Sequence, residues 1–350
     1  MRPANENIMN ANRLPKRNYG LDNLKLAICL LVVTAHTMLP YTDLFYGWYF
    51  TPSLPGEKMS VNYLINTNNL LSMPIFFIVA GFFVPTSYDK QGFGTFIWKK
   101  TKRLLIPAII MLAYCKTFIP EPIFHVWFLQ MLFLFCLAYA IFRKLTQWRI
   151  KEDYKLNVSL PLLTGCFLII CAVNLIIRQK YLVSHFTVLF DVFYFEPARL
   201  AQYFLSFLFG VIARRLDWFK NESKLLIIEI GVVILLYIVI RTIFLNENNY
   251  IGSRLYTIME ACAIIFSGYM IIWAFNKYMN KSTSLTASLS ENSLGIYLFH
   301  VPLLYYVQNY TKFWEIYFPL KLALILLFVI GTSYLLSFLL RKSKFIRQFL

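Results

Sequence analysis

The chain has 350 residues, of which 59% are hydrophobic, 18% aromatic and only 15% charged, and its mean hydropathy is +0.58. A soluble domain carries about a quarter charged residues, so this composition excludes an ordinary water-soluble enzyme and requires surface that faces lipid. The formal charge of +17 does not point to nucleic acid as a partner, because Lys and Arg fall between apolar segments rather than on a polar surface, as membrane topology demands.

In chain order, a polar start (Met1 to Tyr19) leads into an apolar stretch with no small-residue cleavage site after it, which is read as a retained first helix. Apolar runs recur at about 21–40, 62–85, 104–118, 124–142, 157–177, 200–213, 225–245, 255–275, 292–310 and 318–340. Each is near the roughly 20 residues that cross a bilayer, with the third and sixth the shortest. The pattern predicts an all-α integral membrane protein, a single bundle of about ten transmembrane helices in a cell membrane. With the N-terminus in the cytoplasm, the inward connectors hold 24 of the 34 Lys and Arg, including Arg13, Lys99 to Arg103, Arg143, Arg214, Lys277 and Arg341. The positive-inside rule then gives both termini cytoplasmic, with a tail over 1–20, one transmembrane domain over 21–340 and a basic tail over 341–350. The outward segments 41–61, 178–199 and 309–317 are rich in Tyr, Trp and Phe, which suits both an interfacial anchor and stacking on sugar rings.

All six cysteines lie in apolar stretches, with no CxxC pair and no Cys/His ligand spacing, so neither a disulfide framework nor a metal site is predicted. No Gly-rich phosphate loop, GxSxG elbow or HExxH pair is present, which leaves hydrolase and ATP-driven pump readings without support.

Ionisable groups inside spans carry the information, because each costs at least a few kcal/mol unless paired or solvated. The first run, GLDNLKLAICLLVVTAHT, contains Asp22, Lys25 and His36. Lys25 and His36 are separated by roughly 20° around the helix and roughly 16 Å along it, so they share one stripe. Asp22, one turn before Lys25, is placed to pair with it. Alone, His36 reads as a hydrogen-bonded bundle histidine and Lys25 as a snorkelling lysine; together they read as a functional stripe. The cluster KKTKR ending at Arg103 reads equally as a topological anchor and as a grip for nucleotide phosphates. His125 with Trp127 suits an interfacial anchor, His185 a solvated loop, and His300, just before Pro302, a kinked helix.

The Lys25 to His36 stripe, the FFIVAGF block, the basic cluster ending in RLLIP, the HVWFL element and SLGIYLFH together resemble the acyltransferase-3 family of membrane O-acyltransferases, over essentially the whole chain. That family decorates extracytoplasmic glycans with acetyl, succinyl or similar groups. The resemblance implies that His36 is the essential histidine, Lys25 its basic partner and Lys100, Lys102 and Arg103 the donor-binding element, with Asp22, His125, Trp127 and His300 in support. It implies acetyl-CoA or succinyl-CoA as a donor substrate, no bound cofactor, an extracytoplasmic glycan or lipid-linked sugar as acceptor, and a multi-pass location in a bacterial plasma membrane. Two departures stand out: Lys replaces the family's usual Arg at position 25, and KKTKR replaces a cleaner Arg-x-Arg arrangement. No esterase-like domain of the kind some larger relatives carry is expected. His36 then serves as the base toward a sugar hydroxyl or as an acyl carrier. The rival expectation is a transporter or flippase for a glycan or lipid-linked sugar, against which stands the lack of repeat symmetry between halves.

Overall fold

The computed structural model describes residues 18–42, 55–119, 125–146, 156–219, 223–244 and 254–350. Helix α1 (Tyr19–Met38) begins at Asn18, whose side chain accepts a hydrogen bond from the Leu21 backbone N–H (3.0 Å), as an N-cap should. Helix α2 (Pro55–Lys100) is broken at Gly92, whose φ of 70° and ψ of 172° suit only a residue without Cβ. The helix resumes at once, passes through a single π turn at Thr101–Leu105 and continues as α3 (Ile106–Phe118). The segment 86–103, expected as a connector, is therefore helical apart from Gly92, and the basic cluster decorates a helix wall rather than a loop.

The remaining elements are α4 (Trp127–Thr146), α5 (Leu160–Ile177), the hairpin of β1 (Thr187–Leu189) and β2 (Phe193–Phe195), α6 (Pro197–Arg215), α7 (Lys224–Phe244), α8 (Arg254–Cys262), α9 (Gly268–Tyr278), α10 (Ser284–Glu291), α11 (Ser293–Thr311) and α12 (Phe318–Leu340). A π turn at Ala263–Ser267 joins α8 to α9. The antiparallel hairpin, which pairs Thr187 with Phe195, is a small departure from the all-α expectation and lies in the aromatic segment 178–199.

Each of the ten apolar runs falls on a helix, and among the described residues seven helical segments are long and apolar enough to cross a membrane. One of them, Val61–Phe118, contains both the second and third runs. The helices α6 and α11 fall short of that measure because they carry Arg199, Gln202, Ser206, His300 and Gln308, all buried. Burial explains the difference. Only 22% of Leu160–Ile177, Lys224–Ile243 and Phe318–Leu340 is buried, against 56–61% of the other four segments. The most apolar helices thus form the outer, lipid-facing ring, and the helices with polar residues form the interior.

The closest interior contact joins α2 to α6. A Cβ at Gly81 would collide with the Phe207 carbonyl oxygen, and one at Gly210 with the Ile78 carbonyl oxygen, so the two backbones touch through a pair of glycines. Gly210→Ala should therefore destabilise the fold by about 1–3 kcal/mol, whereas Gly231→Ala, with open space around it, should shift stability by less than about 0.5 kcal/mol. Thermal unfolding of the detergent-solubilised variants checks both values, and equal stability for the two would contradict this packing.

Candidate active site

Two clefts enter the bundle, and the sequence stripe of α1 lines both. Lys25 and Cys29 border the first, a cavity of about 350 Å³, while Val32 and His36 border the second, of about 120 Å³. These four positions follow the i, i+4, i+7, i+11 spacing of one helix face. Lys25 is paired with Asp22 at 2.7 Å, as the sequence led us to expect, and its ammonium stands 4.5 Å from the centre of the Phe83 ring.

The first cavity is cationic at its rim and apolar within. Lys25, Lys99, Lys100 and Arg103 stand at the rim, with Ser87, Gln91 and Ser293 among the lining side chains. Lys102 is not among the lining residues: its ammonium binds the Gln348 side-chain oxygen (3.0 Å) and stands over Trp98. Phe76, Phe128 and Tyr297 also line this cavity, with ring centres 4.6 Å apart for Phe76 and Phe128 and 6.1 Å apart for Phe128 and Tyr297.

Beside Tyr297 lies a cluster of three histidines drawn from α1, the turn before α4, and α11. The His36 and His300 rings are 5.0 Å apart, those of His125 and His300 5.6 Å, and those of Tyr297 and His300 5.7 Å. Pro302 explains part of this arrangement. It has no N–H to offer the Leu298 carbonyl one turn back, and His125 Nε2 lies 3.2 Å from that oxygen and donates to it. The Tyr297 hydroxyl donates to the His125 carbonyl and ties the two segments together.

The hydrogen bonds assign the tautomers. His300 Nδ1 is 2.6 Å from the Tyr297 carbonyl, which only accepts, so Nδ1 carries the proton. His36 Nδ1 is 2.9 Å from the Val32 carbonyl and 3.2 Å from His300 Nε2; it donates, and His300 Nε2 accepts. The lone pair of a neutral His36 ring is then on Nε2, the nitrogen a general base uses.

α1 and α11 are held in register on either side of this contact. Cys29 Sγ reaches the Ser293 carbonyl at 3.3 Å, and Gln308 Nε2 donates to the Thr37 carbonyl at 2.9 Å. Cys29 with Ser293 and His36 with His300 share the same sequence offset of 264, so the two helices run parallel.

The second cavity combines rings, amides and a charge pair: Trp127, Phe186 and Tyr203 with Asn68, Asn69, Ser72, Glu196 and Arg199. The Trp127 ring, expected as an interfacial anchor, lines this cavity and lies 5.3 Å from Tyr203 and 5.9 Å from Phe186. Behind this wall is a buried network that the sequence reading passed over. Arg199 binds Glu196 (3.2 Å), Glu260 (2.9 Å) and the Tyr256 hydroxyl (2.8 Å); Arg178 also binds Glu260, along with Thr257 (3.0 Å) and Gln202 (3.3 Å). Glu260 is 0% exposed. Its signal was present in the sequence as a carboxylate inside the apolar stretch YTIMEACAIIF, the criterion that singled out Lys25 and His36. His185, by contrast, is exposed, as expected for a loop residue.

Glu260 pairs with two guanidinium groups at once, so Glu260→Gln takes the charged partner from Arg178 and leaves Arg199 with Glu196 alone. The expected cost is about 3–5 kcal/mol, seen as loss of folded protein in membranes. Wild-type abundance and melting of Glu260→Gln would show that the network does not hold α5, α6 and α8 together.

The acyltransferase-3 family model, described as an acyltransferase domain, matches residues 18–342. No curated protein and no solved structure matches the chain. With the family match spanning both cavities and the histidine cluster, the chain belongs to the acyltransferase-3 family of membrane acyltransferases.

Proposed function

We propose that this acyltransferase moves an acetyl or succinyl group from cytoplasmic acyl-CoA to a hydroxyl of an extracytoplasmic glycan or lipid-linked sugar, in a bacterial plasma membrane. The observation that carries the reading is the position of His36, on a helix face that borders a cation-rimmed cavity at one end and a ring- and amide-lined cavity at the other. Phosphates of the donor meet Lys25, Lys99, Lys100 and Arg103, and the apolar interior takes the pantetheine arm. The rings and amides of the second cavity have the chemistry of a sugar site, with Trp127 as a stacking face.

In this scheme the acceptor hydroxyl gives its proton to His36 Nε2 as its oxygen bonds to the thioester carbonyl carbon. The tetrahedral adduct collapses with cleavage of the C–S bond, and protonated His36 returns the proton to the departing thiolate. His300 and the Val32 carbonyl hold His36 Nδ1–H, which keeps the lone pair on the reacting nitrogen. We further propose ten spans with both termini in the cytoplasm, so that the basic rim faces the acyl-CoA pool. The parallel course of α1 and α11 supports this, since it requires an even number of reversals between them, and the ten apolar runs put eight there.

His36→Ala should abolish transfer of label from radiolabelled acetyl-CoA or succinyl-CoA to membrane glycan at unchanged membrane abundance. Lys25→Ala should impair it, Lys25→Arg should retain much of it, and His185→Ala should be silent. Activity of His36→Ala within a few-fold of wild type would remove the central residue of the scheme and return the transporter reading to first place.

A further inference from the structure

A third cavity, a groove of about 800 Å³, is walled almost wholly by apolar side chains and takes no part in the scheme above. α4 gives one side through Met131, Phe135 and Ala138, and α6 the other through Pro197, Ala201 and Phe204. Each set follows the i, i+4, i+7 spacing of a single helix face, so the groove runs along both helices for about 10 Å. The small side chains of Ala138 and Ala201 leave room between the walls. The hairpin roofs one end with Leu189 and Phe190. Gln130 fixes that roof on α4: its Nε2 donates to the Val192 carbonyl at 2.7 Å, and its Oε1 accepts from the Tyr194 N–H at 3.0 Å. Phe190, in the left-handed region with φ 54°, is 89% exposed at the groove's edge.

Any membrane chain can enter an apolar groove, and a bilayer phospholipid is one occupant. Three observations favour another. The groove shares its walls with the second cavity: at the start of α6, Glu196, Arg199 and Tyr203 line that cavity while Pro197, Ala201 and Phe204 line the groove. On α4, Trp127 lines the second cavity one turn before Met131 enters the groove, and Phe186 and Leu189 divide in the same way along the hairpin. Cations stand at the groove's mouth. The Lys116 ammonium donates to the Asp191 carbonyl beside Phe190, and Lys180 stands 5.6 Å from the centre of the Tyr181 ring, which lines the groove. Both lysines are exposed, against the single carboxylate of Asp191 at the hairpin tip. We propose that this groove holds the apolar chain of a lipid-linked sugar, whose sugar enters the second cavity and whose linking phosphate meets Lys116 and Lys180. Of the two acceptor forms proposed above, the one on a lipid carrier is then the substrate, and it arrives sideways from the bilayer; this rests on acyl transfer to a sugar hydroxyl. A phospholipid would fill the groove but leave the adjoining ring- and amide-lined cavity unused.

Photocrosslinking on the full chain in phosphatidylcholine vesicles tests the groove with a polyprenyl phosphate that carries a diazirine in its chain. In wild type the crosslinks should map to α4, α6 and the hairpin, and unlabelled polyprenyl phosphate should compete them away where the same excess of phosphatidylglycerol does not. Lys116→Gln/Lys180→Gln should lower crosslinking roughly 3-fold, and Ala138→Trp, which fills the groove, should do so at unchanged membrane abundance. Equal competition by phosphatidylglycerol, or crosslinks spread evenly to α7 and α12, makes the groove an ordinary lipid contact and overturns the proposal. A second arm follows label from acetyl-CoA to membrane glycan on its lipid carrier and to the same glycan released from it. Ala138→Trp should raise the KM for the lipid-linked form alone, by roughly 10-fold; equal KM values for both forms in wild type overturn the proposal. No transfer to either form in wild type sinks the acyltransferase scheme, while the crosslinks decide the groove on their own.

Discussion

The contact between α2 and α6 at Gly81 and Gly210 is the constraint on which the rest of the structure depends. Lipid gives helices no hydrophobic reason to associate, so their packing rests on close backbone approach and polar contacts, and this pair of glycines supplies the former. The two helices it joins then wall the site: α2 lines both cavities and α6 the second. α2 sends Asn68, Asn69 and Ser72 to one cavity and Phe76, Ser87 and Gln91 to the other, while α6 adds Arg199 and Tyr203. Widening the contact would move both walls of the second cavity relative to His36.

Polar residues in the interior divide the bundle into two kinds of helix. α5, α7 and α12 face outward and are nearly uniform in apolar side chains, whereas α1, α6 and α11 face inward and carry Lys25, Arg199 and His300. The interior charges that border the site are paired: Lys25 has Asp22, and Arg178 and Arg199 share Glu260. Removal of one partner leaves the other stranded in a medium that solvates it poorly, which is why such groups persist only where structure or chemistry requires them.

Some of this was legible in the sequence and some was not. Helical periodicity alone put Lys25 and His36 on one stripe, because both lie on the same uninterrupted helix. Pairing of His36 with His300 was beyond reach, since 264 positions separate them and only the packing of α1 on α11 brings the rings together. For the same reason His125 read as an interfacial residue, although the carbonyl freed by Pro302 gives it a partner in α11. The KKTKR cluster was legible as charge but not as geometry: a π turn within a continuous helix sends Lys99, Lys100 and Arg103 to the cavity and Lys102 to the tail. Glu260 is legible by the same reasoning that singles out Lys25, whereas Glu196 and Arg199 fall at the start of α6, next to an outward aromatic segment where charged residues are ordinary.

The central claim is that a single histidine connects a donor cavity open at the basic end with an acceptor cavity at the other. Sidedness tests it most directly. Inside-out vesicles that carry the protein and its glycan would receive radiolabelled acetyl-CoA on the outer, formerly cytoplasmic surface alone, and label would be sought on glycan within the lumen. The account predicts lumenal label that appears with wild type and disappears with His36→Ala. Label that appears only when acetyl-CoA is supplied to the lumen would contradict it, because donor and acceptor would then meet on the same side of the membrane.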